Sequence, residues 1–127
     1  MDVNFNKRDP VYVQVIRHFK EQIATGAFEP GQEITSRREL ANQLKINPNT
    51  VQRAYKVMEE AGLIYTEQNV PSKITKDETI LQSVREELMN EAVDEFVRSI
   101  RSIDVPIDEV LQRVKETYDA KDEGGTP

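Results

Sequence analysis

No cysteine occurs among the 127 residues, and this excludes a disulfide framework, a thiolate metal site and thiol chemistry. Histidine is almost as scarce. His18 stands alone, with no neighbouring carboxylate cluster, and a single imidazole cannot close a metal site. It reads as an ordinary helix residue, and neither a metal nor another cofactor is expected. Long apolar runs are missing as well: none nears the roughly 20 residues that a membrane-spanning helix needs. The opening, Met1–Asn6, is short and polar-acidic, unlike a signal peptide. A cytoplasmic protein without membrane association is therefore expected. Catalysis has no candidate site, because no glycine-rich phosphate loop, triad spacing or paired-carboxylate signature is present. Ser36 is explained by helix capping, and an enzyme is not expected.

What is present is charge, unevenly spread. A net charge of −6 is awkward for a protein that meets polyanions. Residues 1–75, however, carry 10 Lys and Arg against 9 Asp and Glu, whereas residues 76–127 carry 7 against 14. The acidity belongs to the C-terminal part. The N-terminal part keeps the means to present a local basic face, which phosphate binding requires.

The most informative stretch runs from Ser36 to Leu63. Ser36 and Glu39 have the S-x-x-E spacing of a capping box, which opens a helix bearing Leu40, Ala41 and Leu44 on one face. Lys45-Ile46 reads as a tight turn. Asn47 then offers an N-cap and Pro48 an N1 residue for a second helix. Val51, Ala54, Tyr55 and Met58 share its inner face, while Asn49, Gln52, Arg53 and Lys56 point outward. Two short helices joined by a turn, the second polar and cationic outside, form a helix-turn-helix that reads DNA.

Upstream, Asp9-Pro10 predicts another cap with proline at N1, followed by a helix with Tyr12, Val15, Ile16, Phe19 and Ile23 on one face. Gly26 stops it, and Glu29–Gln32 is a turn. Downstream, Gly62 ends the reading helix. Leu63–Thr66 and the weaker Lys73–Thr75 are β-prone and predict a small wing. Pro71 cannot donate to a ladder, so that hairpin is predicted to be short or irregular.

These motifs resemble the GntR family of bacterial repressors. The likeness rests on Pro10-Val11-Tyr12-x-Gln14, Gly26-x-Phe28-x-Pro30-Gly31 and Ile34-x-Ser36-x-Arg38-Glu39-Leu40-Ala41. It is closest over Asn47-Pro48-Asn49-Thr50-Val51-x-Arg53-Ala54-Tyr55-x-x-Met58-Glu59-x-x-Gly62-Leu63-Ile64, and covers residues 10 to 66. It is similar to the short-tailed YtrA type and the aminotransferase-fused MocR type; the latter architecture is not expected, because these residues contain no aminotransferase domain. The resemblance implies that Arg38 anchors the phosphate backbone and that Asn49 and Thr50 contact bases and phosphates. Gln52 stands where many relatives carry arginine, and glutamine pairs bidentately with adenine rather than guanine. Arg37, Asn47, Pro48, Arg53, Lys56 and Asn69 complete the candidate DNA-binding set. At the wing, Gln68–Ile74 lacks the family's arginine and both glycines, so little wing contribution to DNA affinity is expected.

The tail predicts two helices. Thr75-x-x-Glu78 offers a capping box, after which Ile80, Leu81, Val84, Leu88, Ala92, Phe96, Ile100 and Ile103 mark a long apolar stripe. Asp104-Val105-Pro106 breaks it, and Ile107, Val110, Leu111, Val114 and Tyr118 mark a second. A hairpin this small cannot cover both stripes by itself, so a second copy is the natural cover. Leu81, Val84, Leu88, Ala92, Phe96, Ile100, Val110, Leu111 and Val114 are the expected dimerisation residues. The alternative is that the long helix packs back onto its own head. So slight a tail also leaves little room for a ligand pocket of about 300–1,000 Å³, and no effector can be named.

The expected fold is mostly α. Residues 1–75 would form a winged helix-turn-helix of three helices and a small β-hairpin, able to fold alone and to bind half-sites weakly. Residues 76–120 would form a helical-hairpin dimerisation region, and 121–127 a disordered C-terminus. The expected function is a dimeric repressor on an inverted-repeat operator in double-stranded DNA. The resemblance further implies an operon encoding an ABC transporter. The competing reading is a winged-helix protein-interaction adaptor with weak or no DNA binding.

Overall fold

The computed structural model describes residues 3–124, with side chains described through residue 121. Its elements run α1 (Val11–Thr25), α2 (Arg37–Leu44), α3 (Pro48–Glu60), β1 (Ile64–Tyr65), β2 (Lys73–Ile74), α4 (Glu78–Arg101) and α5 (Ile107–Gly124). The chain divides into two compact units, Met1–Leu88 and Met89–Pro127.

In the first unit, α1 buries Val15, Ile16, Phe19 and Ile23, the expected face. Gly26 closes it at φ +83°, a left-handed conformation that costs glycine nothing. The helix opening differs from expectation. Pro10 occupies the N-cap, and Asp9 does not cap. Gln14 closes the entry turn instead: its Oε1 accepts from the Asn6 N–H at 2.8 Å, and its Nε2 donates to the Asp9 carbonyl at 2.8 Å.

Helices α2 and α3 start as their capping residues dictate. The Ser36 hydroxyl accepts from the Glu39 N–H at 3.1 Å, and the Asn47 side chain accepts from the Asn49 N–H at 2.8 Å. Between them Lys45 takes a left-handed φ of 57° and makes the tight turn. At the far end of α3 the Leu63 N–H reaches the Met58 carbonyl and the Gly62 N–H the Glu59 carbonyl, a Schellman closure. Gly62 sits at φ +78°, and a Cβ there would come within 2.8 Å of Ile80 Cδ1.

The hairpin is indeed short: Ile64 pairs with Ile74 and Tyr65 with Lys73, antiparallel. Its tip is a turn in which the Val70 N–H donates to the Glu67 carbonyl and Asn69 adopts φ +63°. The other edge of β2 is covered by the segment before α2, through Ile34 N–H to the Ser72 carbonyl and Ile74 N–H to the Gln32 carbonyl, each 2.9 Å.

Phe19, Tyr55, Leu40, Met58, Val51, Ile64 and Ile74 form the centre of this unit, with Phe19 and Tyr55 edge-to-face at 5.9 Å. Helix α4 contributes to the same core. Val84 is only 2% exposed there, and Ile80, Leu81 and Leu88 pack against it. Glu87 pairs with Lys20 at 2.9 Å. The compact head thus reaches Leu88, beyond the Thr75 boundary read from sequence, because the first turns of α4 cover apolar surface that three helices and a small hairpin leave open. Asp77, and not Thr75, caps α4, accepting from the Thr79 N–H at 2.9 Å; Thr75 instead accepts from the Asp77 N–H at 3.0 Å.

In the second unit, the end of α4 and α5 are separated by the expected break, with Asp104 at φ +54°. Val110 is buried within this unit, whereas Phe96, Leu111 and Val114 are 41%, 59% and 42% exposed. An open apolar cleft of about 730 Å³, lined by Phe96, Ile100, Val105, Val110, Val114 and Tyr118, runs along it. Its size exceeds what so slight a tail was expected to offer. Helix α5 runs to Gly124, so 121–124 are helical where disorder was expected; residues 125–127 lie outside the described residues.

Candidate nucleic-acid interface

Helix α3 separates its faces sharply. Val51, Ala54, Tyr55 and Met58 are buried, while Asn49, Gln52, Arg53 and Lys56 are exposed and Thr50 is half-buried near the N-terminus. Asn47 and Pro48 are exposed beside them, but the Asn47 side chain is committed to the cap. Arg38 projects from the first turn of α2, exposed and with no ion pair among the described residues. Asn69 stands exposed at the wing tip, its neighbour Glu67 exposed as well. That acidic neighbour makes a poor approach to a polyanion.

Arg37 differs from its neighbour. Its Nη2 lies 2.6 Å from Glu59 Oε1, and its guanidinium sits 4.9 Å from the Tyr55 ring centre. Glu59 also accepts from the Thr66 hydroxyl at 2.7 Å, and Thr66 and Ser72 share a 2.6 Å hydroxyl contact. Arg37 therefore belongs to a polar chain that ties α2 and α3 to the base of the wing, and a phosphate would have to compete with Glu59 for it. Burial pushes the Tyr55 hydroxyl up to about 12, with Arg37 acting the other way, and this neutral hydroxyl donates to the Thr35 carbonyl.

Arg53 is exposed yet engaged by the protein: its guanidinium carbon lies 3.9 Å from the centre of the Tyr12 ring, and its Nη2 is 3.3 Å from the Tyr12 hydroxyl. Sequence periodicity places Tyr12 on the apolar face of α1, and nothing local pairs it with a residue on α3. His18 is half-buried, and burial lowers its pKa, with Glu21 partly opposing, so the imidazole is mainly neutral at pH 7. No group of three or more His, Cys, Asp or Glu among the described residues could hold a metal ion.

The model of the gntR family of bacterial regulatory proteins matches residues 11–74, the span that contains α1, the helix-turn-helix and the wing. This chain belongs to the gntR family. The GntR regulator is 30% identical over 115 residues to the uncharacterized HTH-type transcriptional regulator YhcF of Bacillus subtilis (strain 168), covering 91% of this chain and 95% of that one. It is 31% identical over 108 residues to the HTH-type transcriptional repressor YtrA of the same organism, covering 84% and 83%. Among solved structures, a GntR family transcriptional regulator from Listeria monocytogenes matches with a TM-score of 0.81 at 28% identity, over 88% of this chain and 98% of that one. The GntR regulator is thus a DNA-binding transcriptional regulator with a winged helix-turn-helix. No helix among its described residues is long and apolar enough to cross a membrane.

Proposed function

We propose that this GntR regulator is a cytoplasmic, homodimeric repressor of the short-tailed YtrA type that reads an inverted-repeat operator. The observation that carries the reading is the division of α3, whose buried face is wholly structural while its outer face keeps Asn49, Gln52 and Lys56 exposed. Asn49, Thr50 and Gln52 read base edges, Gln52 through bidentate pairing with an adenine. Arg38 neutralises a phosphate, and the wing adds little. The exposed apolar residues Phe96, Leu111 and Val114 in the second unit support pairing of two copies there. Ala92 is exposed and Ile100 half-buried beside them. Val84 lies in the head's core with Leu81 and Leu88 half-buried against it, and Val110 is buried in the second unit. Likeness to the repressor YtrA supports repression, and a place in the short-tailed branch would make an ABC-transporter operon the target.

Selecting binding sites from random duplexes, with sedimentation of the protein alone, tests this. Inverted half-sites with centres about 34–36 Å apart, bound by a dimer, are expected. A monomer that selects single, unrepeated sites overturns the dimeric reading.

A further inference from the structure

We infer that Tyr12 is a positioning residue for DNA: it holds Arg53 in the conformation that receives a backbone phosphate, which makes the first turn of α1 part of the interface. The inference rests on α3 being the DNA-reading helix. Arg53 lies on that helix's exposed side, where a long side chain would ordinarily sample many rotamers. Here it is stacked, its guanidinium carbon 3.9 Å from the Tyr12 ring centre, and pinned by a 3.3 Å bond from Nη2 to the Tyr12 hydroxyl. The ring covers one side of the guanidinium and the hydroxyl takes one N–H, leaving the other donors without a protein partner among the described residues. Of its five N–H donors, those not used on Tyr12 stay in plane, the geometry in which arginine grips a phosphate with two parallel bonds. No carboxylate among the described residues pairs with Arg53, in contrast to Arg37, whose Glu59 lies 2.6 Å away. Tyr12 itself is half-buried and uncharged, so it adds order without neutralising the cation. Ordering a side chain before binding removes an entropic cost worth about threefold to tenfold in affinity.

The test uses the full chain, a selected operator duplex and an unrelated duplex of equal length, with affinities measured between 50 and 200 mM salt. Arg53→Ala should lower the slope of log affinity against log salt by about 0.9 per head. Tyr12→Leu should weaken both duplexes about threefold to tenfold, and this loss should vanish in the Arg53→Ala background. Arg53→Lys keeps the charge but not the planar stack, so its slope should match wild type while affinity falls by the same factor. If Tyr12→Leu folds poorly, Arg53→Lys alone decides. Full affinity in Arg53→Lys, or a Tyr12→Leu loss that persists without Arg53, overturns the inference. A wild-type protein with no salt-dependent duplex binding would instead overturn the DNA-reading assignment of α3 itself.

Discussion

Cutting the chain after Thr75 removes the appendage suggested by composition, yet it also opens the head. Val84 is 2% exposed in the core of the first unit, and burying such a side chain contributes about 1.5–3 kcal/mol. Ile80, Leu81 and Leu88 are half-buried against the same core and contribute about 1 kcal/mol each on the same area scale. The Lys20–Glu87 pair, partly exposed on both sides, adds a few tenths. The loss is roughly 5 kcal/mol, as large as the whole stability of many small domains. A chain ending at Leu88 retains all of these contacts. Urea unfolding followed by far-ultraviolet circular dichroism compares the two directly. The 1–88 chain should unfold cooperatively, and the 1–75 chain should be largely unfolded at 25 °C or melt at far lower urea. Equal midpoints for the two chains would show that the α4 contacts contribute nothing to the head.

Arg38→Ala should weaken binding to every duplex and lower the salt slope by about 1 per head, with thermal unfolding unchanged. Arg37→Ala should do the reverse: it loses the Glu59 pair and the Tyr55 stack, destabilising the head by about 1–2 kcal/mol in urea, while the salt slope stays as in wild type. Gln52→Ala should cost about 1–3 kcal/mol on the best operator only and relax preference at one position per half-site, read by competition with single-base variants. Phe96→Asp should yield monomers in sedimentation at micromolar concentration and abolish tight operator binding, because it places an unpaired charge in an apolar contact. Arg38→Ala binding at wild-type strength in moderate salt, or a dimeric Phe96→Asp, would contradict the respective assignments.

The parts of the fold written in local sequence were legible. The Ser36 and Asn47 caps, the Gly26 and Gly62 stops and the inner face of α3 depend on residues within a few positions of each other, and the structure has them where spacing predicts. Asp9 and Thr75 show where such reasoning fails. Each precedes a plausible helix start, but in one case Pro10 takes the N-cap position with no side-chain cap, and in the other Asp77 accepts from the first-turn donor. The apolar stripe of α4 was recognised as one feature, although its first turns face the head's own core. Periodicity reveals that a face is buried and not what buries it. Likewise two adjacent arginines look alike in sequence. Only the positions of Glu59 and Tyr55 separate Arg37 from Arg38, and only the approach of α1 to α3 brings Tyr12 to Arg53.

The isolation of the outer face of α3 bears on how such a regulator can change its target. The side chains of Asn49, Gln52 and Lys56 have no hydrogen-bond or ion-pair partners within the protein among the described residues, so their replacement disturbs no packing. Surface substitutions of that kind usually alter stability by less than about 0.5 kcal/mol. New operator preferences are therefore reachable by single steps, each passing through a folded protein. Arg53 is the exception on this face, because its orientation is shared with Tyr12. Retargeting at that position calls for paired changes on two helices, which makes it the slow site on a face otherwise open to single changes.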